Sequence, residues 1–125
     1  KMQKILNLKV KYRESFRPFA PSVLREDLKE WFELDCDSPY MLLVDYVSKD
    51  KRIEITEEEK SLFGIDKLNT KRSKIPAVTH VDGTGRLQTV SKESNELYYN
   101  LINEFYKNTC MRMVILLHIT VKYIK

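Results

Sequence analysis

The run YMLLVDYV, from Tyr40 to Val47, restricts the fold more than any other stretch of this chain. It follows the break Asp37-Ser38-Pro39 and is largely apolar and rich in strand formers, which predicts a central strand buried on both faces. Such a strand needs a layer on either side, and helical periodicity supplies candidates. Ser22 is placed to cap a helix whose apolar positions Leu24, Leu28, Trp31 and Phe32 fall at i, i+4, i+7 and i+8, ending near Asp35. Glu26 and Asp27 suit its first turn. A clearer helix runs from about Asn95 to Asn108, with Leu97, Tyr98, Leu101, Ile102 and Phe105 on the side predicted to pack on a sheet. The expected fold class is α/β, a twisted mixed β-sheet with flanking helices.

Residues 1–12 read as a short helix passing into an extended segment. RPFAPSV (Arg17 to Val23) reads as a strand or ordered loop, because its prolines exclude a helix interior and push Arg17 and Ala20 towards extended backbone. Residues 48–74 are polar and charged, an expected surface insertion with one short helix from Thr56 to Phe63 that closes at Gly64. IPAVTHV (Ile75 to Val81) and RLQTV (Arg86 to Val90) flank Asp82-Gly83-Thr84-Gly85, which predicts a hairpin. A last strand is expected within MVILLHITVKYI near the C-terminus. No internal repeat or linker divides the chain, so residues 1–125 are expected to belong to one domain.

Charge and cysteine usage narrow the function classes. Net charge is +4, with residues 1–29 and 63–125 net basic and residues 30–62 net acidic. Basic outer thirds suit phosphate-bearing partners: small-molecule phosphates first, RNA as an alternative. No apolar run reaches the length of a helical membrane span. Cys36 and Cys110 stand outside any C-x-x-C spacing and no signal-type stretch is present, so a reduced, cytoplasmic protein is expected. With His80 and His118 as the other candidate ligands, the spacing predicts no metal site.

Two clusters can carry chemistry. Lys9, Lys11, Arg13 and Arg17 precede the proline-stiffened turn, and alternation along a strand would put them on one face, ready for phosphate oxygens. T-H-V-D-G-T-G-R (Thr79 to Arg86) offers an imidazole, a carboxylate, a flexible turn and a guanidinium that can grip an anion bidentately. Its glycines lack the spacing of a P-loop or dinucleotide fingerprint. No nucleophile elbow is present. Tyr98, Tyr99 and Tyr106, at helical spacing, read as core and rim rather than as a base-stacking platform.

Three segments, KYRESFRPFAPSVL (11–24), ELDCDSPYMLLVDYV (33–47) and IPAVTHVDGTGRLQTVSKESNELYYNLINEFYKNT (75–109), together resemble one family. It is the carbamoyltransferase family of nodulation and antibiotic biosynthesis, in its C-terminal, YrdC-like domain. The signatures are R-P-F-A-P-S and T-H-V-D-G-x-x-R-x-Q-T-V. The resemblance implies a domain that joins carbamoyl phosphate to ATP to form a carbamoyl adenylate. A separate, metal-dependent N-terminal domain then passes the carbamoyl group to a hydroxyl. By the same resemblance Lys11, Arg17 and Arg86 bind carbamoyl phosphate or nucleotide phosphates. His80 and Asp82 form the catalytic pair that orients ligand or Arg86, and Ser22 matches the motif as a helix cap.

Departures from the family pattern shape a further expectation. After Val114-Ile115-Leu116 the family continues into N-T-S-F-N and a downstream G-E-P, whereas this chain continues Leu117-His118-Ile119-Thr120. The A-L-G-N-R-S segment that precedes Lys1 in the family is likewise absent from the sequence. The chain is therefore expected to be part of a YrdC-like domain, not a competent enzyme alone. The alternatives are a non-catalytic RNA- or nucleotide-binding module and a structural remnant.

Overall fold

The structure of the chain is a computed structural model, and it describes residues 2–115. Helix α1 (Met2–Ile5) runs directly into a wider π-helical turn, Leu6–Val10, and the chain then loops through residues 11–20 with Tyr12 at φ 49°. The predicted alternation of Lys9, Lys11, Arg13 and Arg17 along a strand therefore does not occur. Lys9 lies in the π-helical turn and the other three in the loop.

Strand β1 (Pro21–Leu24) is buried at all four positions and forms the centre of a three-stranded sheet. It pairs in parallel with β4 (Gln88–Val90) and antiparallel with β5 (Met113–Ile115). Ser22 is thus not a helix cap. It sits in mid-strand opposite Gln88, and its Oγ donates to Gln88 Oε1 at 2.8 Å. A 3-10 turn, Arg25–Asp27, then leads into the short helix α2 (Leu28–Trp31). The apolar spacing still holds, since Leu24, Leu28, Trp31 and Phe32 are all buried.

The expected central strand is much reduced. Only β2 (Val44–Tyr46) is extended, and it pairs with β3 (Thr84–Arg86) alone, in a separate two-stranded ribbon. Tyr40 and Leu42 are 81% and 76% exposed. The cause is the buried Ser38. Its N–H donates to Thr89 Oγ1 at 2.8 Å, its Oγ donates to the Leu87 carbonyl at 2.9 Å and accepts from the Leu43 N–H at 3.2 Å. Its carbonyl accepts from the Thr89 N–H at 3.1 Å, and Met41 turns at φ 57°. Four hydrogen bonds pin this segment as a bend, and the turn spends the residues a longer strand would need.

Residues 48–74 carry a 3-10 turn and two short helices, α3 (Glu57–Lys60) and α4 (Gly64–Asn69). Thr56 caps α3 with a full capping box closed by Glu59, while Gly64, at φ 61°, opens α4 instead of closing α3.

The predicted hairpin is also replaced. Residues 75–81 form turns whose hydrogen bonds close locally: the Val78 N–H and the Thr79 hydroxyl both donate to the Ile75 carbonyl, at 3.1 and 2.9 Å. Pro76 has no N–H to offer a ladder. Strands β3 and β4 flank the fully buried Leu87 and join different sheets, β3 to β2 and β4 to β1. Helix α5 (Glu96–Thr109) follows the sequence closely. The Asn95 side chain accepts from the Tyr98 N–H at 3.0 Å, and Cys110 ends the helix in the left-handed region. Its buried side is narrower than predicted, because Ile102 packs with Leu24 and Val90 while Leu97 and Leu101 are exposed. The predicted C-terminal strand is present as β5, and the remainder of MVILLHITVKYI, with His118, lies outside the described residues. The main core joins Phe19, Val23, Leu28, Phe32, Val47, Val78 and Leu87. Among the described residues no helix is long and apolar enough to cross a membrane.

Candidate functional site

Register decides where the basic side chains of the ribbon lie. Pairing of β2 with β3 sets Val44 opposite Arg86, and both line a cleft of about 270 Å³. The other wall is the segment entering β1. Arg17, Pro18, Phe19 and Ala20 line it, fixed to the turn at residues 75–81 by the Phe19 N–H donating to the Ala77 carbonyl at 2.9 Å. Arg13 and His80 complete the lining. Three guanidiniums from remote parts of the chain therefore meet at one small cleft. A larger hollow of about 390 Å³ beside Ile75, Phe105 and Met113 is almost wholly apolar and offers no comparable charge.

The loop that carries Arg13 and Arg17 is organised by one buried amide. Asn7 is fully buried, and its Nδ2 donates to the carbonyls of Ser15 and Arg17 at 3.1 and 2.8 Å. Its Oδ1 accepts from Arg13 Nε at 2.7 Å, and its carbonyl accepts from the Arg13 N–H at 3.0 Å. Arg13 also stacks over the Phe19 ring, 5.0 Å from its centroid. Burial lowers the Arg13 pKa, and the nearby Arg17 charge lowers it further, so this is a wall where positive charge accumulates. Arg17 has a loose, exposed ion pair with Glu14 at 3.4 Å. Among the described residues Arg86 has no ion-pair partner, and it is exposed.

The turn before β3 has its own logic. Asp82 Oδ1 accepts from the Thr84 N–H at 3.0 Å and from the Thr84 hydroxyl at 2.7 Å, an Asx turn that Gly83 at φ 85° permits. These two bonds, the hydroxyl's first, hold the Asp82 carboxyl below the usual carboxylate range. His80 bonds to the same threonine twice: its N–H donates to the Thr84 carbonyl at 2.7 Å, and Nδ1 lies 2.9 Å from Thr84 Oγ1.

Of the residues singled out in the sequence, the structure brings Arg13, Arg17, His80 and Arg86 to the cleft. Lys11 is not among the lining residues, and Asp82 faces Thr84 rather than ligand space. Arg13 lines the cleft where the resemblance implied Lys11. Asn7, Val44 and Thr84 were not foreseen, although the spacing Asp82-Gly83-Thr84 carries an Asx-turn signal. The tyrosines of α5 are engaged elsewhere: Tyr98 and Tyr99 pack against the Leu24, Val90 and Ile102 cluster, and Tyr106 Oη accepts from Arg112 at 2.8 Å.

A family model described as the carbamoyltransferase C-terminus matches residues 1–117. The chain belongs to the carbamoyltransferase C-terminal family. An uncharacterized protein of Synechocystis sp. is 57% identical over 104 residues, which is 83% of this chain and 17% of that protein. Nodulation protein NolO of Bradyrhizobium diazoefficiens is 38% identical over 110 residues, 88% of this chain and 17% of its own length. The 3'-hydroxymethylcephem-O-carbamoyltransferase of Amycolatopsis lactamdurans is 33% identical over 96 residues, 77% of this chain and 14% of its own. The chain thus spans about a sixth or a seventh of the relatives it matches. The chemistry of the arginine cleft suits an anion.

Proposed function

We propose that the cleft binds the phosphate of carbamoyl phosphate, and that the chain is part of a domain that forms a carbamoyl adenylate from this substrate and ATP, with one water consumed and pyrophosphate and phosphate released. The observation that carries the reading is the meeting of Arg13, Arg17 and Arg86 at one cleft, although they come from two segments far apart in sequence. Guanidiniums are fixed, permanently charged forks that fit phosphate oxygens in pairs. Both halves of such a reaction move charge between phosphoryl oxygens, so fixed cations supply the stabilisation it needs. A cleft of about 270 Å³ has room for a compact acyl phosphate. The transfer of the carbamoyl group to a hydroxyl belongs, in this reading, to a separate metal-dependent domain.

Isothermal titration with carbamoyl phosphate and with ATP tests the proposal. Arg17→Ala and Arg86→Ala are each expected to weaken carbamoyl phosphate binding by about 1.5–3 kcal/mol, roughly ten- to a hundredfold. Lys11→Ala, outside the lining, is expected to do less. No saturable binding at millimolar ligand by a cooperatively folded chain would contradict the reading, as would affinities unchanged in both arginine variants.

A further inference from the structure

The hydrogen bonds around Thr84 fix more than the shape of the turn. The Thr84 hydroxyl has a single proton, and it goes to Asp82 Oδ1 at 2.7 Å. An ionised carboxylate accepts only, so the direction of this bond is set. The contact between His80 Nδ1 and Thr84 Oγ1 at 2.9 Å then needs its proton from the imidazole. A neutral His80 therefore carries its proton on Nδ1, and Nε2 keeps its lone pair. Among the described residues Nε2 has no hydrogen-bond partner, and His80 lines the cleft.

This acceptor stands in a particular setting. The other polar side chains lining the cleft are Arg13, Arg17 and Arg86, which can only donate. They recognise phosphate oxygens but cannot read an N–H group. We infer that Asp82 and Thr84 lock His80 in the tautomer that presents Nε2 as an acceptor, and that this nitrogen selects a carbamoyl NH2 over an acetyl CH3 on an otherwise similar acyl phosphate. Thr84 is a positioning residue here, acting through His80. The inference rests on the anion-binding reading of the cleft and adds a discrimination to it. A site that bonds a substrate N–H rejects the analogue lacking it, because the acceptor is left unpaired.

Two readouts on the purified chain test it. Long-range proton–nitrogen correlation spectra of the labelled imidazole at pH 8 should show the Nδ1–H tautomer in the wild type and in Thr84→Ser, and a shift towards Nε2–H in Thr84→Val. Titrations with fresh carbamoyl phosphate, acetyl phosphate and inorganic phosphate should show a preference for carbamoyl over acetyl phosphate of roughly three- to tenfold. Thr84→Val should lose that preference and Thr84→Ser should keep it, the preference being the ratio of carbamoyl to acetyl phosphate affinity within one variant, from which any shared loss of phosphate affinity through a loosened turn cancels. An Nε2–H tautomer in the wild type overturns the inference, and so does an undiminished preference in Thr84→Val. Equal binding of carbamoyl and acetyl phosphate by the wild type overturns the selection while leaving the anion site intact. Failure of all three phosphates to bind a folded chain removes the anion site itself, and the selection with it.

Discussion

The sheet centred on β1 and the ribbon of β2 and β3 are held together by different means. Every residue of β1 is buried, Val23 completely, and the sheet is sealed on one side by Ile102 of α5 with Leu24 and Val90. In the ribbon Val44 and Tyr46 are about half exposed, at 49% and 47%. Its position depends on the Ser38 clamp, on the Thr84 turn, and on one close packing contact, Gly85 over the Phe32 ring. Apolar burial fixes the sheet, whereas directional bonds fix the ribbon. The cleft side chains Val44 and Arg86 belong to the ribbon and His80 to the turn leading into it.

Breaking the core beneath both regions is expected to have the largest effect. Phe32 is 1% exposed and touches both the main core and Gly85. Phe32→Ala is expected to cost about 3–5 kcal/mol, read as a fall in denaturant midpoint. A loss under about 1 kcal/mol would show that the ribbon and sheet do not share this support.

A narrower test fills the space between them. A Cβ at Gly85 would stand 2.9 Å from Phe32 Cε1 and 3.0 Å from the Val78 carbonyl oxygen, and the latter is backbone that cannot swing away. Gly85→Ala is expected to destabilise by about 1–3 kcal/mol and to weaken phosphate binding by displacing Arg86. Unchanged melting would mean that the close approach is not structural.

The smallest effect is expected at the turn. The Asp82 carboxyl is held below its ordinary range by Thr84, so its ionised form stabilises the fold. That contribution is complete above the unfolded-state value near 4 and disappears as pH falls through the lower folded-state value. Wild type should therefore exceed Asp82→Asn in stability at pH 7, by under about 1 kcal/mol because the group is largely exposed. The gap should close towards pH 3, and a gap that widened on acidification would refute the assignment.

Legibility in the sequence followed the range of the forces involved. Helix α5 was readable because its cap Asn95 and its period are local. Leu24, Leu28, Trp31 and Phe32 were readable as core for the same reason, although the helix there is short and Ser22 proved to be a strand residue. YMLLVDYV misled because the bonds that bend it reach from Ser38 to Leu87 and Thr89, 49 and 51 positions away. At the cleft, residue types pointed to Arg17, His80 and Arg86. The choice of Lys11 came from the family resemblance, while strand alternation grouped Lys9, Lys11, Arg13 and Arg17 on one face, a grouping that the π-helical turn and the positive φ of Tyr12 break. The buried Asn7 had no pattern to announce it, since a polar residue alternating with Leu6, Leu8 and Val10, as Lys9 also does, reads as a solvent-facing position.

The central claim is that Arg13, Arg17 and Arg86 act on one anion. Titrating inorganic phosphate into arginine-labelled chain while following the side-chain Nε–H resonances of each tests this most directly. The account predicts that all three move with a common midpoint, and that Arg86→Ala weakens the response of Arg13 and Arg17 together. Separate midpoints, or movement of Arg17 that is indifferent to the loss of Arg86, would contradict it.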